Sequence, residues 1–498
     1  MNIPFDRLLS ITKDGSMLGQ SMAALTLGIL ATNEKDPGLK ARIVARLREM
    51  VANIAEPKNE MPGTLARIGL SFLEKVNNDD FAALPHPFKE SAVITECMAA
   101  STKAESLVEA ALASDEGNVI FGGVVGACLH AIHPSPGSSS RFSPALEKLM
   151  GEEIPDTAVA GSFAYALLHR MDPDIEGPLG KTEAQIKWGK DADIRVGNVL
   201  ANVILTSHMT DRTAMLTRFT NYADAGDFAR FALFAAYGLT TLVEGAPVSA
   251  KMFKDRPYLT GDLETVYHFI GMMFAFAFFS INSQEDFRAW CLKQIDDLEK
   301  DMDQDKETKF VHLICRGIMA NKLDAPAAAF ARLLKETYAA QFDTRKITPG
   351  TSTTKMLSSR IAYDPQTDGR FYSDAGGEFF PQVGALLGIA LGIFTARAMP
   401  PSSKGKIPKK EEIWSASGLP EPISSAASTV IARGLDVKMT DVQCAAMMAL
   451  LAAHADTGLF RKVLVLWTMY EVSVGDIPYF RAVSVVLATY GLVLGDFL

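Results

Sequence analysis

Residues 376–398 read GGEFFPQVGALLGIALGIFTARA, and this stretch contains one of the longest apolar runs of the chain, Val383 to Thr395. Within the run, Gly384, Gly388 and Gly392 repeat every four residues. Such a row of small residues lets two helix backbones approach closely. The apolar run is shorter than the ~18 to 20 residues that a bilayer-spanning helix needs. We therefore predict a tightly packed core helix here and no membrane insertion.

The rest of the chain has the same helical character. Alternating patterns typical of half-buried strands are scarce, and no repeat of fixed period is visible, which disfavours a helical solenoid. Apolar residues instead recur three and four positions apart, which indicates amphipathic helices. Two stretches illustrate this spacing: Leu25, Ile29, Ile43, Leu47 and Val51, and then Phe228, Phe231, Leu233, Phe234, Leu239 and Leu242. The fold class predicted from the sequence is all-α.

Segments rich in helix breakers divide the chain. Clusters of Pro, Gly and Ser interrupt the helical pattern at residues 133–140, 245–262, 343–353 and 400–410. The break that ends at residue 262 predicts two helical lobes, spanning residues 31–262 and 263–475. Two apolar stretches near the ends, Ser21 to Thr32 and Tyr479 to Leu498, would be poor free termini in water. They either dock onto adjacent copies or pack within the same chain.

The chain is acidic. Of its 498 residues, 49 are Lys or Arg and 58 are Asp or Glu, which gives a formal net charge of −9. This net charge argues against a protein that binds nucleic acid over its whole surface through an excess of bases. Any site for a polyanion must therefore consist of bases concentrated in one part of the protein. The five cysteines form no CxxC pair, which argues against a disulfide framework or a thiolate zinc site. The first residues, MNIPFDRLLSITKDG, do not resemble a secretory signal, and we expect an intracellular protein.

The sequence does not contain a recognisable catalytic or cofactor-binding motif. His130 and His133 are the only close histidine pair, and HAIH lacks the glutamate of the hydrolytic zinc motif HExxH. The segment GPLGKT, residues 177–182, lacks the first glycine of a phosphate-binding loop. No GxSxG nucleophile elbow occurs. We therefore predict no cofactor, no metal ion and no catalytic site.

Locally concentrated basic charge is the remaining signal. Rows of bases can neutralise successive phosphates of one strand, and neighbouring hydroxyls supply further donors. The alternatives are a helix salt-bridged through Glu183, Asp191 and Asp193, and a merely solvated loop. Six candidate bases lie around and after Trp188: Lys181, Lys187, Lys190, Arg195, Arg212 and Arg218. Four more lie in the Thr- and Ser-rich segment 343–360: Arg345, Lys346, Lys355 and Arg360.

The segment 376–398 resembles the most recognisable segment of nucleoproteins from non-segmented negative-strand RNA viruses. Its FPQ, followed by small and aliphatic residues, is similar to the filovirus version. Residues 193–242 resemble the paramyxovirus stretch in which a basic residue, here Arg195, opens an apolar helix. The two segments also occur in the order and separation found in that family. A divergent lineage, such as the fungal mymonaviruses, is consistent with the resemblance.

The resemblance implies an all-helical protein whose two lobes clamp single-stranded RNA in the cleft between them. It implies that Lys181, Lys187, Lys190 and Arg195 line the N-lobe side of the cleft. It implies that the bases of residues 343–360 are C-lobe candidates, with Arg397 after the motif helix. Only Arg195 is matched by position; the other bases are chosen from local charge and order. The resemblance further implies that residues 1–30 and 476–498 are terminal arms that dock onto neighbouring subunits.

The function predicted from the sequence is therefore that of a viral nucleoprotein and not of an enzyme. Such a protein encapsidates genomic RNA without sequence specificity and assembles as a homo-oligomer into a helical nucleocapsid. The resemblance implies the viral polymerase or its cofactor as a partner. It implies the virion nucleocapsid and the host-cell cytoplasm or nucleus as locations. Two alternatives remain open: an all-α capsid or scaffold protein that assembles without RNA, and an all-α enzyme with an unrecognised site.

Overall fold

The protein is built from helices that pack on one another. Over the part of the chain that the structure describes, there are twenty helices and no strands, which confirms the predicted all-α fold class. The structure is a computed structural model. It describes residues 1–132, 138–170, 172, 174–188, 191–206, 235, 238–239, 266–281, 285–301, 306–320, 326–342, 379–398, 419–474 and 478–495.

Eleven of these helices come from the first 206 residues. They are α1 (Phe5–Asp14), α2 (Met17–Leu30), α3 (Pro37–Ala52), α4 (Glu60–Ser71), α5 (His86–Met98), α6 (Ala104–Leu112), α7 (Gly117–His130), α8 (Ser138–Met150), α9 (Pro155–His169), α10 (Glu176–Trp188) and α11 (Ala192–Thr206). The side chain of Ser16 begins α2 by accepting a hydrogen bond from the Gly19 N–H at 3.1 Å. Asp36 caps α3 in the same way, because it accepts from the Gly38 N–H at 2.8 Å.

Nine further helices follow among the described residues. They are α12 (Val266–Ile281), α13 (Glu285–Asp301), α14 (Lys306–Met319), α15 (Pro326–Arg332), α16 (Phe380–Ala398), α17 (Glu421–Asp436), α18 (Thr440–His454), α19 (Thr457–Val474) and α20 (Pro478–Gly495). After α15 the chain continues through a π-helical segment, Leu333–Tyr338, and a short 3-10 helix, Ala339–Phe342.

The glycine-rich helix α16 packs directly against α14. A Cβ atom added at Gly317 of α14 would lie 2.1 Å from the carbonyl oxygen of Gly388, and one added at Gly384 would lie 2.4 Å from that of Phe310. A Cβ at Gly392 would lie 2.7 Å from the carbonyl oxygen of Gly317. The two backbones therefore touch along the glycine row, which confirms the close approach predicted from the sequence.

Helix α16 also meets the length and composition criteria for a membrane span. It has 19 residues with a mean hydropathy of 1.3 over its best window, and 83% of that window is buried inside the protein. The helix is longer than the apolar run from Val383 to Thr395, because it begins at Phe380 and ends at Ala398. Its burial against α14 and α18 is the environment expected of a core helix.

Helices from the two ends of the chain share a core. Helix α18 packs on α2, α19 packs on α7 and α9, and α20 packs on α11. Hydrogen bonds also connect the two ends of the chain. The Thr440 hydroxyl donates to Ser16 Oγ and the Tyr470 hydroxyl donates to Glu90 Oε1, both at 2.6 Å. The predicted lobe boundary at residues 262 and 263 lies outside the described residues. The division into two lobes with a cleft stays a prediction.

The segments predicted to be terminal arms lie largely within helices of this core. Helices α1 and α2 belong to residues 1–30, and α20 belongs to residues 476–498. Helix α2 is buried on almost all sides and approaches α4 so closely that a Cβ at Gly28 would lie 2.2 Å from the Gly69 carbonyl oxygen. Packing within the same chain is the alternative that the sequence left open. Exchange of these segments between copies stays a prediction.

Candidate nucleic-acid interface

Three of the predicted RNA-binding bases lie on a pair of adjacent helices. Lys181 and Lys187 belong to α10 and Arg195 belongs to α11, and the two helices pack against each other. Residues 189–191 join them, a connection of only ~10 Å at full extension. Lys187 is exposed in the last turn of α10, and Arg195 is half-buried in the first turn of α11. The hairpin therefore brings Lys187 and Arg195 to the same end.

Lys181 points away from Lys187 and faces α8 and α9. Their separation of six positions corresponds to about 9 Å along the helix axis and roughly 120° around it. The Lys181 ammonium donates a hydrogen bond to Glu147 Oε1 and lies 5.9 Å from the centre of the Tyr165 ring. Its side chain is 48% exposed. The Lys181 ammonium is therefore held by its neighbours while it remains open to solvent.

Glu147 Oε1 accepts two further hydrogen bonds. The Ser143 hydroxyl donates to it at 3.1 Å and the Tyr165 hydroxyl at 3.5 Å. Burial alone would raise the pKa of the Glu147 carboxyl, but the hydrogen bonds from Lys181 and Ser143 outweigh that effect and leave the pKa below its ordinary value. The hydrogen bond to Glu147 is also the main reason why the pKa of Lys181 is raised. The pair is therefore ionised at neutral pH.

His169 completes this group at the carboxyl end of α9. Its Nε2 lies 2.8 Å from Ser143 Oγ, and its Nδ1 lies 2.6 Å from Asp172 Oδ2. Its ring lies against that of Tyr165, with the ring centres 4.3 Å apart. We call Ser143, Glu147, Tyr165, His169 and Lys181 the α8–α10 cluster. Of these residues only Lys181 was predicted from the sequence, because the other members are scattered over two helices without a motif.

Arg397 has an intramolecular role. One of its guanidinium nitrogens donates to the carbonyl oxygens of Ala452 and Ala455, each at 2.6 Å. These carbonyls belong to the carboxyl end of α18, where unpaired acceptors need donors. Burial lowers the pKa of Arg397, with a smaller opposing effect of Asp456. Because the guanidinium already fixes the end of a helix, we leave Arg397 out of the proposed interface.

The remaining candidate bases are not described by the structure. Those that lie outside the described residues are Lys190, Arg212, Arg218, Arg345, Lys346, Lys355 and Arg360. The predicted convergence of the two basic groups on one cleft therefore stays a prediction. What the structure describes is the α10–α11 hairpin and the α8–α10 cluster, which are joined through Lys181.

A small cavity lies between α14, α16, α18, α19 and α20. Asp441, Glu471 and Trp467 line it together with apolar side chains. Its volume of about 10 Å³ is room for about one water molecule, and far less than a small-molecule substrate needs. Among the described residues, no three His, Cys, Asp or Glu side chains are grouped so that they could hold a metal ion.

Comparison with known proteins identifies no relative. No protein-family model matches the chain, and neither the curated proteins nor the solved structures contain a match. Function must therefore be argued from the residues themselves.

Proposed function

We propose that this chain is a viral nucleoprotein that encapsidates single-stranded genomic RNA without sequence specificity. In this proposal many copies assemble into a helical nucleocapsid that serves as the template of the viral polymerase. Contacts to phosphate oxygens hold the RNA, because such contacts carry no base sequence. No catalytic step is part of the function.

The observation that supports the proposal best is the α10–α11 hairpin in an acidic chain. The protein has a net charge of −9, yet the hairpin carries the exposed Lys187 and the half-buried Arg195 at one end and Lys181 farther along α10. Arg195 is also the base that the upstream resemblance matches by position. Residues 176–206 carry four bases and four acids, so the hairpin is neutral in an otherwise acidic chain, and its bases are the candidates for contact with a polyanion.

The motif segment has a structural place in the proposal. Residues 380–398 form α16, a buried helix that touches α14 backbone to backbone. Because its glycines are used in this contact, the resemblance in this segment concerns a packing element. In the proposal α16 holds the core together, and RNA contacts come from basic side chains on other helices.

Replacement of Lys187 and Arg195 by Ala in the full-length protein tests the proposal. RNA-free protein, prepared with nuclease and high salt, is titrated into a fluorescein-labelled oligouridine while fluorescence anisotropy is recorded. The double variant should bind more weakly. Its plot of log affinity against log salt concentration should become shallower by about 1.4, since each lost phosphate contact on a single strand removes about 0.7.

The matched control removes two lysines from an acidic surface. Lys293 and Lys300 of α13 are more than two-thirds exposed and pair with Asp297. The Lys293→Ala, Lys300→Ala variant has the same net charge as the test variant and should bind RNA nearly as wild type does. Equal affinities of the test variant and wild type would remove this hairpin from the interface.

One observation favours a second candidate function, that of a serine hydrolase. Ser143 Oγ, His169 and Asp172 lie within hydrogen-bond distance of one another in the order of a nucleophile, a base and an orienting carboxylate, although the Ser143 hydroxyl donates its one proton to Glu147. The carboxylate of Glu147, 3.1 Å from the Ser143 hydroxyl, weighs against it because it would repel a developing oxyanion. Incubation with a fluorophosphonate probe distinguishes the two: a hydrolase is labelled at Ser143 and a Ser143→Ala variant is not. We expect no label on either protein.

A further inference from the structure

The α8–α10 cluster has the composition of an anion-binding site. Three donors, the Lys181 ammonium and the hydroxyls of Ser143 and Tyr165, converge on one atom, Glu147 Oε1. The imidazole of His169 lies behind the Ser143 hydroxyl at 2.8 Å. A cation supported by hydroxyl groups is the donor set that proteins use for phosphate oxygens. In the free protein this donor set is filled by a carboxylate of the same chain.

We propose that the α8–α10 cluster binds a phosphate group of the RNA backbone and that Glu147 occupies this site as an internal competitor until RNA arrives. The inference rests on the proposed function and adds to it a site and a means of regulation. Lys181 exchanges its carboxylate partner for a phosphate oxygen, and the Ser143 and Tyr165 hydroxyls turn to the same ligand. Glu147 then moves into solvent.

The exposure of the pair makes this exchange feasible. The side chains of Lys181 and Glu147 are 48% and 32% exposed, so RNA reaches the ammonium without opening the core. A partly exposed ion pair contributes little free energy, and a competing anion can therefore replace the carboxylate. The Tyr165 ring beneath the Lys181 ammonium keeps it in place during the exchange.

The neighbouring charges favour one added anion. Asp172 Oδ2 already has a hydrogen-bond partner, because it lies 2.6 Å from His169 Nδ1. Once Glu147 has left, the cluster retains Lys181 and the Ser143 and Tyr165 hydroxyls, with His169 behind them. The low pKa of Glu147 agrees with this account, because the same donors already stabilise a negative charge at that point.

The test compares three single substitutions in the full-length RNA-free protein with wild type. Glu147→Gln removes the competing charge at nearly constant shape, and Lys181→Ala removes the cation. Glu299→Gln is the matched control because Glu299 is likewise paired with a lysine, Lys309, on other helices. The measurement is again the anisotropy of labelled oligouridine over a series of salt concentrations. Far-ultraviolet circular dichroism verifies that each variant keeps its helices.

The proposal expects opposite changes from the two members of the pair. Glu147→Gln should bind RNA about two- to five-fold more tightly, the range that corresponds to an exposed ion pair. Lys181→Ala should bind more weakly, with a salt dependence shallower by about 0.7. The double variant Glu147→Gln, Lys181→Ala should show no gain over Lys181→Ala, because the competitor acts only through Lys181.

Each other outcome overturns a defined part of the account. Binding by wild type together with equal affinities of Glu147→Gln and Glu299→Gln rejects the competitor and leaves the nucleoprotein proposal intact. An affinity of Lys181→Ala equal to that of wild type rejects the phosphate site itself. A wild-type protein that leaves the anisotropy unchanged rejects the nucleoprotein proposal and this inference together.

Discussion

The contact between α14 and α16 makes a sharp prediction about stability. A methyl group at Gly317 would lie 2.1 Å from the Gly388 carbonyl oxygen, whereas ordinary contacts begin at 3.4 Å, so the helices must separate by about 1.3 Å. The obstacle is backbone and cannot rotate away. Overpacking of this kind costs about 1–3 kcal/mol. The upper end of that range applies to a backbone obstacle, a gain of about 0.5–1 kcal/mol in helix propensity opposes it, and we expect Gly317→Ala to destabilise the protein by about 2 kcal/mol.

Gly180→Ala in α10 is the matched control. A Cβ there meets no atom within 4 Å, so only the propensity gain acts and the protein should become slightly more stable. Thermal unfolding followed by circular dichroism measures both variants. If the chain unfolds as one unit, the melting temperature of Gly317→Ala should fall by about 2 °C, because the unfolding entropy is about 1 kcal/mol per kelvin for this length. Equal melting temperatures for the two variants would refute the backbone contact.

Three further predictions concern polar groups in the core. Burial raises the pKa of Glu90 from 4.5 to about 7, although the hydrogen bond from Tyr470 opposes this shift. The unfolded chain therefore loses the Glu90 proton at a lower pH than the folded protein does, and the stability of wild type should fall relative to Glu90→Gln as the pH rises from about 5 to 8. Urea titrations should show a fall on the order of 3 kcal/mol. Arg397→Met should lower the free energy of unfolding by about 1.5–3 kcal/mol and leave RNA affinity unchanged, because the guanidinium donates to carbonyl oxygens at the carboxyl end of α18. Tyr338→Phe should cost about 1 kcal/mol, since the hydroxyl donates to the Leu313 carbonyl oxygen at 2.6 Å.

Periodicity and glycine spacing were sufficient to predict the helical class and the tight contact of α16. Both are local properties: a helix follows from apolar residues three and four apart, and a close contact follows from Gly384, Gly388 and Gly392 on one face. The partner of the contact could not be read from the sequence. Gly317 is a single glycine in α14, and only the folded chain shows that it meets Gly388.

The candidate site was predictable only in part for a similar reason. Lys181 was found because its neighbours in sequence are also basic, whereas Ser143, Glu147 and His169 come from other helices and carry no motif. Arg397 makes intramolecular contacts that the sequence could not reveal, and its part in RNA binding stays a prediction. Its position after the motif helix suggested RNA, but a side chain that reaches Ala452 and Ala455, more than fifty residues away, is determined by tertiary packing.

The ends of the chain illustrate how an apolar segment permits two explanations. A stretch such as Ser21 to Thr32 must be buried, and burial by the same chain or by a neighbour satisfies the hydrophobic effect equally. In the described fold α2 lies between α4 and α18 of its own chain. The composition of the segment could not show whether the same chain or a neighbouring copy buries it, because composition does not specify which surface it contacts.

The most direct test of the central claim is the nucleic-acid content of the full-length protein purified from an expression host without nuclease treatment. A nucleoprotein should elute as large assemblies whose ultraviolet absorbance shows the nucleic-acid maximum, and ribonuclease-sensitive RNA of mixed sequence should be extracted from them. Large assemblies with a protein-like spectrum would instead indicate a scaffold that forms without RNA. Small oligomers free of RNA would contradict the account as a whole.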